Sequence, residues 1–209
     1  PSGVYDADGA DGDDFRTVGG DYYKPTDADY EANCDEARQL LADAGYPNGE
    51  GFPVVEYLYN TSDAHKAVAE ALQFMWEEEL GVKVTLNNQE WAAFLQTRKD
   101  GDYSIARNGW IADYNDPISF LDMWMTGGGN NDAQYANDDY DALIKQAKTT
   151  TDNAERMDLL HQAEDKLIGE DNVLAPLYFY TQKYMLADGI EGMYYCPLGY
   201  FFFGYTHQA

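Results

Sequence analysis

Positive charge is what this chain lacks most: 13 lysines and arginines stand against 38 aspartates and glutamates, a formal charge of −25 over 209 residues. Phosphate backbones and anionic lipid surfaces repel such a surface, which excludes nucleic acid as a partner. Long apolar runs are missing too. Nothing approaches the roughly eighteen residues of a membrane-spanning helix, and no basic segment leads into an apolar one as in a secretion signal. No Met precedes Pro1, so the chain reads as an excerpt of a longer protein. Three histidines and two cysteines, dispersed, make no zinc constellation. The acidic stretch Asp6 to Asp13 fails as a calcium loop, because counting from Asp6 the fifth position is Ala10 and the sixth Asp11. Around Ser104 there is no Gly-x-Ser-x-Gly turn to make a nucleophile. No cofactor and no catalysis are expected.

What is present is core material, with 44% hydrophobic and 15% aromatic residues. A helix is predicted from about Tyr30 to Ala44, closed by Gly45, and Cys34 on its apolar face reads as a small buried hydrophobe. Val54–Tyr59 reads as a strand. Ser62 then stands as an N-cap before a stripe of Val68, Leu72, Met75, Trp76 and Leu80 that Gly81 stops. Val82–Leu86 alternates with period two, the helix from Glu90 sets Trp91, Phe94, Leu95 and Arg98 on one face, and Tyr103–Arg107 is a third strand. Strand, helix, strand, helix, strand implies a sheet with parallel pairs. Two further helices follow, Asp138–Lys148 and Asp152–Ile168, the second opening at capping-box spacing with Asp152 and Glu155. Val173–Tyr180 reads as another strand, with Pro176 marking an edge or bulge. The tail from Gly189 is densely aromatic.

The scarce residues gather in two runs, Asn88–Arg98 and Arg107–Pro117, which hold two tryptophans, two of the five arginines and an Asp between Trp110 and Tyr114. A carboxylate in that setting forms a charge-assisted bond to an ammonium group, although Ala112–Pro117 is also ordinary turn chemistry. Arg98 and Arg107 carry guanidinium forks matched to carboxylates, and either also suits a structural ion pair in so acidic a chain. His65, in the first turn of its helix, sits where partial positive charge favours an anion. Asn60, at a strand end, presents an amide suited to a peptide backbone. Trp91 and Trp110 read either as core or as walls for side chains of any type.

Leu58–Lys66 together with residues 88–117 resembles the C-terminal lobe of the oligopeptide-binding proteins that serve ABC importers, and the likeness runs from Ala37–Tyr46 to the tail. It implies an α/β fold, a mixed sheet with flanking helices forming one lobe of a type II periplasmic-binding-protein-like two-lobe fold. On this resemblance residues 1–209 are the C-terminal peptide-binding lobe, with 1–30 an irregular approach and 189–209 an aromatic tail returning toward the missing N-terminal lobe. In the family the Asp of the motif Gly109-Trp110-x-Ala112-Asp113-Tyr114 holds the peptide's α-amino group. His65, Arg98 and Arg107 then serve carboxylates of peptides of different length, and Trp91 and Trp110 line side-chain pockets. The implied function is extracytoplasmic capture of short peptides, in the periplasm or as a cell-surface lipoprotein. Delivery is to ABC permease subunits, and the isolated lobe is expected to self-associate. A sugar, a nickel complex or haem in the same fold stands as the alternative ligand, and a carbohydrate hydrolase using Asp113 with Asp116 as the alternative class.

Overall fold

The structure, a computed structural model, describes residues 1–24, 26–196 and 199–209 but not the side chain of Cys196. Whether Cys196 pairs with Cys34 therefore lies outside the described residues; Cys34 itself is buried. In chain order the elements are α1 (Phe15–Gly19), α2 (Tyr30–Asp43), β1 (Val55–Asn60), α3 (Asp63–Leu80), β2 (Val84–Gln89), α4 (Trp91–Asp100), β3 (Ile105–Ala106), α5 (Ile118–Leu121), α6 (Asp138–Ala147) and α7 (Asn153–Glu164). Four short strands close the chain: β4 (Ile190–Glu191), β5 (Tyr194–Cys196), β6 (Tyr200–Phe202) and β7 (His207–Gln208). These fall into two compact units, a sheet unit of Asp21–Gly109 with Gly129–Tyr135 and a helical unit of Pro1–Gly20, Trp110–Gly128 and Ala136–Ala209.

In the sheet unit β1 is central, parallel to β2 on one side and to β3 on the other. Tyr57, Leu58 and Tyr59 are buried in succession, as expected of a strand covered on both faces. Burying Leu58 completely contributes on the order of 1.5–3 kcal/mol. The predicted stripe of α3 lies against Tyr57, Tyr59, Val82 and Val84: Leu72 is buried among them, and Val68, Met75, Trp76 and Leu80 pack beside it. Ser62 occupies the N-cap of α3 with extended backbone but no side-chain bond to the helix. Gly81 ends α3 at φ 67°, a conformation that tolerates glycine best. Because all three strands are parallel, their carboxyl ends, Asn60, Gln89 and the turn into Arg107, lie along one edge of the sheet.

In the helical unit α6 packs on α7, and α5 also contacts α7. The Tyr140 hydroxyl, fully buried, donates to the Leu121 carbonyl at 2.6 Å. Asn137 and Asp152 cap α6 and α7 through their side-chain oxygens. The capping box is only half made, since the Glu155 carboxylate accepts from the Thr150 hydroxyl at 2.6 Å. After Glu164 the helix widens into a π-type turn over Asp165–Glu170.

Three expectations change. Val173–Tyr180 is no strand: no described strand runs beside it, and Leu177, Phe179 and Tyr180 are exposed. An apolar run supplies a strand's side chains but not the neighbour its amides require. The third strand shortens to Ile105–Ala106. The Asp/Gly-rich start is not irregular throughout, because Asp14 caps α1 through the Thr17 amide and the buried Phe15 stacks on His161 at 3.9 Å.

Candidate functional site

Ligand sites of open parallel sheets form outside the carboxyl ends of the strands, because the loops leaving those ends and the helix N-termini converge there. Here that edge gathers Asn60, His65, Trp91, Arg98 and Arg107. Asn60 ends β1; its carbonyl meets His65 Nδ1 at 3.2 Å and its side-chain oxygen accepts from Arg107 Nη1 at 3.5 Å. The backbone of Arg107 is pinned in turn, its N–H donating to the Leu58 carbonyl at 2.8 Å. Burial pushes the Tyr57 hydroxyl pKa up, and the positive charge of Arg107 partly offsets that rise. Trp91 is half-exposed, its ring lying 5.8 Å from that of the fully buried Phe94.

Arg98 is placed differently. It donates from Nε to Asp132 Oδ2 at 2.6 Å and from Nη1 to Asn108 Oδ1 at 3.0 Å, with its guanidinium 5.1 Å from the centre of the Phe94 ring. Both partners of the ion pair are nearly enclosed, with side chains 13% and 10% exposed. The Tyr103 hydroxyl donates to the Asp132 carbonyl at 2.8 Å, so the segment that brings Asp132 in is tied by main chain and side chain together.

The helical unit holds Trp110, Asp113 and Tyr114 on a turn tied at several points. Ser119, buried at the start of α5, accepts the Asp113 N–H on its hydroxyl at 2.9 Å and the Trp110 indole N–H on its carbonyl at 2.7 Å. Asn115 accepts from the Tyr5 N–H at 2.9 Å and donates to the Gly3 carbonyl at 2.9 Å. Asp116 is held by both terminal guanidinium nitrogens of Arg156, Nη1 at 2.8 and Nη2 at 2.9 Å. Asp113 is exposed, and among the described residues no hydrogen bond or ion pair engages its carboxylate. Tyr114 is half-exposed, its hydroxyl pKa raised first by burial and then by Asp122 and Asp116. The bidentate pair commits both carboxylate oxygens of Asp116 to Arg156, a structural role that counts against the hydrolase reading of Asp113 with Asp116.

Ser119, Asn108, Asp132 and Arg156 are the site residues that sequence reasoning missed. Only Ser119 left a signal, following Pro117 where a helix begins. Among the described residues no group of acids, histidines and cysteines is arranged to hold a metal ion.

Residues 3–132 match the family model described as bacterial extracellular solute-binding proteins, family 5 middle. The dipeptide-binding protein DppE of Bacillus subtilis is 39% identical over 191 residues, covering 91% of this chain and 34% of that protein. The oligopeptide ABC transporter substrate-binding domain of Bacillus anthracis superposes over 100% of this chain and 39% of its own, with a TM-score of 0.76 and 28% identity. The structure of Haemophilus influenzae OppA in complex with RPPGFSPFR matches at a TM-score of 0.67 and 34% identity, covering 76% of this chain and 31% of that one. The chain belongs to the family 5 bacterial extracellular solute-binding proteins, whose solved members here are two-lobe binding proteins of the oligopeptide importer type. It spans about a third of the length of the curated relatives it matches.

Proposed function

We propose that the whole protein captures short peptides outside the membrane and delivers them to the permease subunits of an ABC importer, with no bond made or broken. Asp113 takes the peptide's ammonium group, Arg107 and His65 take a carboxylate, and Asn60 meets backbone amides. Trp91, Trp110 and Tyr114 offer half-exposed rings to side chains, which suits a site that accepts many sequences. The remainder of the polypeptide would cover the ligand and the exposed rings of Tyr194, Tyr200, Phe202, Phe203 and Tyr205. Without it that aromatic surface favours self-association.

The observation that carries this reading is the contrast within one turn. Asn115 and Asp116 are tied to distant parts of the chain and Ser119 ties the turn to itself, whereas the Asp113 carboxylate is exposed and unengaged among the described residues. A turn held so firmly around an unpaired carboxylate is preorganised for a cation. In the full-length protein Asp113→Asn should weaken peptide binding by roughly 2–5 kcal/mol, and N-acetylation of the peptide should cost a similar amount. Calorimetry giving equal affinities for acetylated and free peptides would remove Asp113 from this role. Mass spectrometry of co-purifying ligands separates a ladder of short peptides from a single haem, sugar or nickel complex.

A further inference from the structure

The chain holds two Asn-Gly pairs, Asn48–Gly49 and Asn108–Gly109, and the fold treats them oppositely. An asparagine followed by glycine is open to attack on its own side chain, because the next residue has no Cβ to keep the main-chain nitrogen away from Cγ. At Asn48 that nitrogen is occupied. The Gly49 N–H donates to the Tyr46 carbonyl at 2.9 Å, and the Gly49 backbone lies so close to Gly81 that a Cβ there would fall 2.6 Å from the Gly81 carbonyl oxygen.

At Asn108 the same atoms are brought together. The Gly109 N–H donates to Asn108 Oδ1 at 2.7 Å. Cγ, one C=O bond of about 1.23 Å from that oxygen, therefore lies within roughly 3.9 Å of the nitrogen. Arg98 Nη1 donates to the same Oδ1 at 3.0 Å, and Asp132 fixes Arg98 through Nε at 2.6 Å. A guanidinium set on that oxygen draws electrons from Cγ and stabilises the negative charge the oxygen gains when the carbon is attacked. Neither residue lies in a helix or strand and Gly109 is exposed, so the turn is open to ring closure and to water. A Cβ at 109 would crowd Arg107 Nη2 at 3.0 Å, which ties the glycine to the placement of that arginine.

We propose that Asn108–Gly109 is a self-modification site, at which slow deamidation installs a carboxylate beside Arg98 and weakens the hold of this sheet edge on anions. The Gly109 nitrogen gives its proton to water and bonds to Cγ, the bond from Cγ to the side-chain nitrogen breaks, and that nitrogen takes a proton from water and leaves as ammonia. The product is a five-membered succinimide. Water then opens either of its carbonyls, giving aspartate or isoaspartate, the second of which routes the main chain through the side chain and lengthens it by one carbon just after Arg107. Nothing is oxidised or reduced. Exchange of an amide for a carboxylate adds one negative charge, which repels a ligand carboxylate brought to the same edge. That effect on ligands rests on the peptide-binding reading, whereas the chemistry does not.

The test incubates the full-length protein at mildly alkaline pH in heavy-oxygen water, digests it in acid, where the reaction stops, and maps both pairs by mass spectrometry. Asn108 should convert at least about tenfold faster than Asn48, with heavy oxygen in the product, although Asn48 is the more exposed of the two. In urea-denatured protein the two rates should become alike, because only the fold distinguishes the pairs. Equal rates in the folded protein, or faster conversion at Asn48, overturn the proposal, and so does a difference that survives denaturation. The consequence is read by calorimetry on full-length Asn108→Asp, with tripeptides offered as the free acid and as the C-terminal amide. Preference for the free acid should fall several-fold against the parent protein, and an unchanged preference overturns the effect on binding. Should that variant fail to fold, the converted fraction of the parent protein, separated by ion exchange, is titrated in its place. If the parent protein binds neither peptide, the peptide-binding reading fails, and the mapping still decides the modification.

Discussion

Ser119 shows how much one small buried side chain organises. Its hydroxyl receives the Asp113 N–H and its carbonyl the Trp110 indole, so a single residue sets both the carboxylate and the aromatic ring of the turn. Ser119→Ala leaves the Asp113 amide without its acceptor, a cost of about 1–3 kcal/mol if water does not replace the hydroxyl. The expected consequence lies in selectivity. On the peptide-binding role proposed above, the full-length protein's preference for free over N-acetylated peptides should fall several-fold, and Ser119→Thr should recover part of it. Equal losses for both peptide forms, measured by calorimetry, would make Ser119 a packing residue only. The same turn explains why neighbouring acids differ in use: Asp116 is spent on Arg156, and Asp113 is not.

Where α3 ends, two glycines permit an approach that no side chain would. Gly81 has φ 67°, and a Cβ built there would lie 2.3 Å from the Asn48 carbonyl oxygen; one on Gly49 would lie 2.6 Å from the Gly81 carbonyl. The contact joins the loop after α2 to the end of α3 and so sets where β2 begins. Gly81→Ala combines a left-handed conformation with a backbone clash, and should lower stability by at least ~2 kcal/mol. Chemical denaturation of the variant checks this. A loss under 0.5 kcal/mol would mean that the loop yields without disturbing the helix end. Consistent with a constrained junction, the α2 residue Arg38 reaches both the carbonyl and the carboxylate of Glu79 in the last turn of α3.

Net charge acts on the folded chain as a body. With −25 on 209 residues, self-repulsion opposes compaction at low ionic strength. Raising monovalent salt shortens the screening length from about 10 Å at 0.1 M to about 3 Å at 1 M, which relieves repulsion among exposed acids. The same salt weakens the ion pairs, but the enclosed ones, Arg98–Asp132 and Arg156–Asp116, are screened least. Relief should dominate. The melting temperature is expected to climb steadily between 0.1 and about 1 M potassium chloride and then level off as the screening length falls below the spacing of surface charges. A melting temperature that is flat or falls over that range, followed by circular dichroism, would show that the ion pairs outweigh the repulsion.

Local pattern determined a good deal of this protein by itself. Val68, Leu72, Met75, Trp76 and Leu80 recur at helical spacing and pack on the sheet. The order of strands and helices announced the parallel sheet, because parallel neighbours need a crossover and the sequence places a helix between each pair. The residues nominated as a site stood out because tryptophan and arginine are few in this chain. Their neighbours were not. Arg98 finds Asp132 at a separation of 34 residues and Arg156 finds Asp116 at 40, and with 38 acids available nothing in spacing selects those two. Val173–Tyr180 failed as a strand for the same reason, since a strand is completed by a partner's backbone and not by its own composition. Periodicity reports which face of an element is buried. Which charge each charge meets is settled only when the folded chain brings distant segments within hydrogen-bonding reach, because that choice depends on distance and desolvation in space, and neither is written along the sequence.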